Sequence, residues 1–449
     1  MWLARSICRR FAPISGALRL HAAAPSCWED HRHVHPPRRP TSTTGLTITG
    51  TQRTAHRRWR PEHGHCQTGR GSNQLLQRQR HLYLALDDWE NGFSLHKLSL
   101  DDLLSGAAAD GELRRLPDPV LCLAFVTVGS DPSFHALGSN IVVRSDSYRL
   151  SGLTLVYNTE TAALHTCNSL EQHLHCTYHA TAAGNKLFTF DFDSSKGLYL
   201  GPTPSAINGC GYPDGNEVPR RWIWERIPVP PPYTRCSDGY ISATALHPDG
   251  RTIFVSVRSD FALGLGLDLE SEQERERKLQ LGTFSLDTES GEWTRRGDWY
   301  MPFEGQAHYD ADLGAWVGTN TVYNKVDQSY YEHLFSCDVP DLGKESTQAP
   351  AWKMATEKLT FLKAPLSSTD QLVLVSTGGG MFCLIEPTIR EGFGFTRSRD
   401  DCDKWQLHVT MFRVKYGKNG ELVVVPVLPG RSYLIYRYLA NFKVPAFWM

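Results

Sequence analysis

The densest group of side chains able to hold a metal is His165, Cys167, His173, His175, Cys176 and His179. On a strand, alternate residues share a face, so His173, His175 and His179 align with Thr177 among them while Cys176 points the other way. No second cysteine or acid completes a set at a familiar zinc spacing, so surface or hairpin histidines are the favoured reading and no metal is expected. Two acidic runs, Asp87-Asp88-Trp89-Glu90 and Asp400-Asp401-Cys402-Asp403, lack the alternating oxygen ligands, the glycine and the distal glutamate of a calcium loop, and read as solvated loops. Gly378-Gly379-Gly380 has no following Lys and Ser/Thr and precedes an apolar run, MFCLIEP, where a phosphate loop needs a helix N-terminus. Close packing of strands accounts for these glycines. No GxSxG, no HExxH and no cysteine with a nucleophile signature occurs. No catalytic residue and no cofactor is therefore assigned, although a site assembled from separate loops leaves no contiguous motif.

Aromatic residues at loop edges are the other functional candidates. Trp89, Trp222, Trp224, Trp316 and Trp405 have the chemistry to line a binding face, with core packing as the alternative for half or more of them.

The elements that would carry these residues are strands. Twenty-six prolines and 37 glycines set among 48 aromatic residues favour many short strands joined by turns over long helices. Past residue 80 the chain falls into units of about 40 to 70 residues, a period of the propeller kind. The plainest unit runs from ISATALHPDGRTIFVSVR to LGTFSLDTESGEWTRRGDWYMPF. Pro248-Asp249-Gly250 makes one tight turn in it and Asp287-Thr288-Glu289-Ser290-Gly291 a second, with Trp293 opening the outer strand. A second unit, VLCLAFVTVGSD with FHALGSNIVVRSD and LTLVYNTETAALHTCNSL, places Tyr157-Asn158-Thr159-Glu160-Thr161 at the same hairpin. Three more units follow: CTYHATAAGNKLFTFDF with RRWIWERIPVPPPY, GQAHYDADLGAWVGTN with YYEHLFSCDVP, and LVLVSTGGGMFCLIEP with WQLHVTMFRVKYGKNGELVVVPVL. The run GLGLDLESEQERERKLQ reads as a solvated, mixed-charge insertion.

HLYLALDDWENGFSLHKLSL supplies only two strands, and the tail RSYLIYRYLANFKVPAFWM has no unit of its own. Pairing the tail with the first unit completes both and leaves no open sheet edge. The expected fold is thus an all-β, kelch-like propeller over 80–449, of six blades closed by the C-terminal strand, with five or seven as the neighbouring counts. The HPDGRTIF…FSLDTESGEW…MPFEGQAHYDADLGAWVG stretch, the LYLALDDWENGFSLHKL opening and the terminal AFWM resemble the kelch-like plant proteins expanded in grasses and catalogued as domain of unknown function 1668. The resemblance implies a propeller-like pattern and no particular activity. Paired glycines typical of kelch repeats are present only as Gly-Ser in ALGSN and as Gly378-Gly379-Gly380, so the link to kelch propellers is one of pattern.

Residues 1–75 hold few apolar residues in any period and are expected to be a disordered basic arm, either a transit peptide or an upstream extension of the gene. The first 80 residues carry fourteen arginines, no lysine and three acids, Glu29, Asp30 and Glu62. That leaves these 80 residues eleven positive and, at a whole-chain charge of −1, the rest of the chain twelve negative. An acidic body repels phosphate backbones, so no nucleic-acid partner is expected. FAPISGALRLHAAA, broken by Arg19 and His21, is too short to span a bilayer, and a soluble chain without membrane contact is expected. Eleven cysteines standing singly read as reduced thiols of a cytoplasmic or nuclear protein, or of a mitochondrion or plastid if the arm is a transit peptide. The expected function is a non-enzymatic, monomeric scaffold that presents loops to a protein or peptide partner. The rival is a propeller enzyme acting on a carbohydrate or another small polar molecule.

Overall fold

A computed structural model of the chain describes residues 19–21, 81–87, 92–104, 113–124, 132–144, 154–167, 179–190, 197–203, 221–233, 239–259, 281–326, 329–343, 348–359, 372–390, 405–427, 430–435 and 444–449. Almost all of these residues are in strands or the turns between them, with one short helix, Leu100–Leu104. No helix among them is long and apolar enough to cross a membrane.

Of the 27 strands among the described residues, 24 form six antiparallel units of four, and parallel pairing of Ala243–Ala245 with Gly305–Ala307 joins the fourth and fifth units into one eight-stranded sheet. The second is Ser133–Leu137, Asn140–Arg144, Thr154–Asn158 and Leu164–Cys167; the third is His179–Ala183, Lys186–Phe190, Gly197–Thr203 and Arg221–Arg226. The fourth is Gly239–Leu246, Thr252–Ser259, Gly282–Asp287 and Trp293–Gly297, and the fifth Gly305–Asp310, Ala315–Asn324, Ser329–Asp338 and Trp352–Lys358. The sixth is Val373–Gly378, Met381–Ile389, Trp405–Tyr416 and Leu422–Pro426. The first is made from both ends of the body: Ala446–Trp448 pairs with His81–Asp87, which pairs with Phe93–Ser99, which pairs with Leu121–Ala124.

Local sequence dictates the turns. Asn158 and Asp287 each accept backbone N–H bonds two and three residues on, from Glu160 and Thr161 at 3.1 and 2.8 Å and from Glu289 and Ser290 at 2.9 and 3.2 Å. These are Asx turns, which short polar side chains form by replacing a backbone partner. The next residue is a latch in both units: Thr159 Oγ1 donates to Ser139 O at 2.9 Å and Thr288 Oγ1 to Arg251 O at 2.6 Å, each tying the second hairpin to the first. Asp249 caps the Pro248-Asp249-Gly250 turn by accepting from the backbone N–H groups of Arg251 and Thr252, both at 2.9 Å.

Six core clusters hold the units together, and each bridges two of them. Tyr83 and Leu95 pack with Ile141 and Leu155, joining the first unit to the second. Val142 and Val156 meet Leu187 and Leu200; Phe188 and Phe190 meet Val255 and Phe284; Ala245 and Phe254 meet Trp316 and Phe335; Val317 and Leu334 meet Phe382 and Phe412. The sixth cluster sets Leu82, Leu84 and Leu98 of the first unit against Cys383, Ile385 and Leu407 of the last. Neighbouring residues of a central strand belong to different clusters, Val255 to one and Phe254 to the next, which is why the central strands read as near-continuous apolar runs.

Three assignments made from the sequence change. Leu121–Ala124, read with the second unit, is the outer strand of the first, because it pairs with Phe93–Leu95. The tail divides: Arg431–Ile435 pairs with Trp405–Val409 of the last unit and, in parallel, with Leu113–Arg115, while Ala446–Trp448 joins the first unit. Within the arm, Arg19–His21 is a strand antiparallel to Cys122–Ala124, where no strand was expected.

Candidate functional site

The residues proposed from the sequence go to different places. Trp316 is fully buried, its indole N–H donating to Leu246 O at 2.9 Å, and Trp405 is buried in the core between the first and last units. Both are packing residues and leave the candidate binding face, since a face buried between two units is closed to a partner. Trp222 and Trp224, alternate residues of one outer strand, are partly buried against the second unit. There Trp224 Nε1 donates to Thr154 Oγ1 at 3.0 Å. Trp89, His173, His175, Cys176, the acidic run 400–403 and the insertion 264–280 lie outside the described residues. Gly378, Gly379 and Gly380 form the turn between the first two strands of the last unit with φ of 82°, 62° and 72°, a conformation that glycine adopts without strain. No group of three or more metal-ligating side chains occurs among the described residues.

Among the described residues, Ser432 and Ser94 each contact a histidine, Ser432 Oγ lying 3.0 Å from His408 Nδ1 and Ser94 Oγ 3.1 Å from His96 Nε2. Glu386 stands directly across the ladder from His408. Burial lowers the histidine pKa, so the ring is neutral and able to accept a proton.

The fifth unit carries more exposed apolar side chains than the other units do among the described residues. Of ten large apolar residues exposed among the described residues, six belong to the fifth unit: Tyr309, Tyr323, Val326, Tyr330, Trp352 and Met354. Tyr323 and Tyr330 face each other across the ladder with ring centroids 5.0 Å apart, at the end of the ten-residue strands Ala315–Asn324 and Ser329–Asp338. Trp352 and Met354 alternate on the outer strand, 56% and 41% exposed, and the Trp352 ring rests 5.8 Å from Phe335. Reading the sequence by Trp and turn signals missed this strand, although AWKMATEK alternates two large apolar residues with polar ones.

Beside Trp352, at the seam between the fourth and fifth units, two hollows of about 190 and 250 Å³ share one lining residue, Arg296. The first is polar, with Thr252, Asp287 and Glu292, and Arg251 pairs there with Asp287 at 3.2 Å. The second has an apolar wall of Trp299, Val339, Pro340 and Pro350 with Asp338 and Asp341 on it. Arg296 Nε donates to Ser285 Oγ at 2.8 Å and Nη1 to Leu342 O at 3.3 Å, and the guanidinium lies 5.7 Å from the Phe254 ring centroid. Burial holds its pKa below the usual arginine value. Hollows of this size fall below the ~300 Å³ that a drug-sized ligand fills and suit single side chains of a partner.

The family described as Protein of unknown function (DUF1668) matches residues 79–431. None of the curated proteins compared matches the chain. Similar solved structures include a protein from Lactobacillus plantarum, 11% identical, with TM-score 0.35 and coverage of 83% of this chain and 99% of that one. The WD40 domain of SCAP from fission yeast is 9% identical, with TM-score 0.30 and coverage of 81% and 89%. The tricorn protease is 8% identical, with TM-score 0.30 and coverage of 82% and 36%.

Proposed function

We propose that this chain, which belongs to the DUF1668 family, is a non-enzymatic β-propeller scaffold that docks a protein or peptide partner on the rim formed by its fourth and fifth units. Support for a six-bladed, kelch-like ring comes from the core clusters, each shared by consecutive units and the last shared with the first. The C-terminal strand is then the clasp. The observation that carries the docking surface is the pair Trp352 and Met354, alternate and exposed on the outer strand of the fifth unit beside the hollows lined by Arg296. Large apolar side chains left side by side in water mark interaction sites.

The test compares proteins retained from an extract of the expressing cells by the wild-type chain, by the Trp352→Ala/Met354→Ala double variant and by a Val427→Ala control. Loss of a defined set in the double variant alone supports the rim. Identical sets in all three, with melting temperatures unchanged, overturn it.

The alternative is a propeller enzyme for a carbohydrate or other small polar substrate, and the Ser432–His408 pair is the observation in its favour. Hydrolysis of polar ester or glycoside probes that disappears in Ser432→Ala would establish it in place of the scaffold reading.

A further inference from the structure

Arg296 is a half-buried cation, and among the described residues no carboxylate stands at ion-pair distance from it. A guanidinium carries five N–H donors, and here two are engaged, both by neutral oxygens. Its plane is fixed by Ser285, by the Leu342 carbonyl and by the Phe254 ring, so little conformational freedom remains to be lost on binding. The three remaining N–H groups belong to a side chain that lines both hollows.

We propose that Arg296 is the anchor for a carboxylate on a partner segment, with an apolar side chain next to that carboxylate seated in the hollow of Trp299, Val339, Pro340 and Pro350. This rests on the docking-rim reading and names the chemistry of its partner. A fixed guanidinium fork matches a carboxylate's two oxygens, and partial removal from water strengthens the bond. Asp338, Asp341 and Glu292 also line the hollows. Their negative charge tolerates one compensated anion better than a dianion, so a carboxylate is favoured over a phosphate.

The probes are three blocked dipeptides, acetyl-Leu-Glu-amide, acetyl-Leu-Gln-amide and acetyl-Leu-phosphoserine-amide, titrated into the full chain with detection by ligand NMR. The glutamate probe should bind about tenfold more tightly than the glutamine probe, the step expected for a hydrogen bond to a charged group. It should also bind more tightly than the phosphoserine probe. Arg296→Gln should abolish the Glu-over-Gln preference, and Asp338→Asn, which leaves Arg296 and its contacts in place, should enlarge it. Equal binding of the first two probes by wild type overturns the proposal, as does a preference unchanged in Arg296→Gln or Asp338→Asn. Tighter binding of the phosphoserine probe also overturns it. None of these results touches the rim reading, which fails instead if the Trp352/Met354 variant retains every partner.

Discussion

Tyr83 and Phe447 lie directly opposite each other in an antiparallel ladder, so the two ends of the body are neighbours in one sheet. Backbone bonds reinforce the pair: His81 N donates to Met449 O at 2.7 Å, Met449 N to His81 O at 3.0 Å and Ala85 N to Pro445 O at 2.9 Å. The buried Tyr433 and Ile435 sit in the core between the first and last units, with Trp448 packed against it.

Truncation after Pro429 removes these residues and opens two sheet edges at once. Losing one large buried side chain costs about 3 to 5 kcal/mol, against about 5 to 15 kcal/mol for a whole domain. The truncated chain should therefore be aggregated or insoluble in size-exclusion chromatography. Deleting residues 1–75, a longer segment whose described residues, Arg19–His21, pair with the outer strand of the first unit, should leave the body soluble with nearly the same melting temperature. A monomeric, equally stable C-terminal truncation would refute closure by the terminal strand.

Ala162 has φ of 55°, alone among the non-glycine residues described. It stands four residues after the Asx-turn residue Asn158, where the corresponding position after Asp287 is Gly291, with φ of 74°. A Cβ in this conformation costs roughly 1 to 2 kcal/mol, partly offset by glycine's greater freedom when unfolded. Ala162→Gly should thus be neutral to stabilising, by up to ~1 kcal/mol in urea denaturation, whereas alanine-to-glycine changes in ordinary strand positions destabilise. A clear loss of stability would show the strain to be absent.

Two tryptophans should respond in opposite ways. Trp316→Ala empties a fully buried site, leaves the Leu246 carbonyl without its donor and removes a ring 5.0 Å from Phe254, for a loss of about 3 to 5 kcal/mol. Trp352→Ala trims a mostly exposed ring and should cost less than ~1 kcal/mol while weakening partner binding. Thermal melts of the two variants decide this directly.

The parts of the fold that could be read in advance are those written in local chemistry. Asn158 and Asp287 announce equivalent hairpins because an Asx turn needs only residues adjacent in the chain. Completion of the first unit from the C-terminus followed from a shortage, two strands where four were needed. Leu121–Ala124 was misplaced because its apolar pattern suits either neighbouring unit, and the pairing with Phe93–Leu95 is set by tertiary packing. The same limit affects the site. Trp316 and Trp352 both sit in or beside strands, and alternation does not say which face a neighbouring unit covers. Arg296 follows a tryptophan in an unremarkable polar strand, and only the fold brings Ser285, Leu342 and Phe254 around it.

Glu332 is a buried carboxyl at the base of the Tyr323–Tyr330 hairpin, and Thr321 Oγ1 donates to its Oε2 at 2.8 Å. Burial raises its pKa above the usual glutamate value, the charge of Glu304 acts in the same sense, and hydrogen bonds from Thr321 and Thr319 oppose them. The native state therefore holds this proton more tightly than the unfolded chain does. The stability it contributes is fully present below the unfolded glutamate pKa of about 4.3 and is lost as pH rises through the folded value. Above that value the native state carries a poorly solvated charge. Glu332→Gln keeps the shape and an oxygen for the Thr321 hydroxyl while removing the charge. The variant should melt above wild type at pH 8, and the difference should shrink steadily as pH falls toward 4. Melting curves of both proteins across pH 4 to 8 measure that gap. A gap that stays constant, or wild type melting higher at pH 8, would mean that the carboxylate is well solvated or paired in the native state.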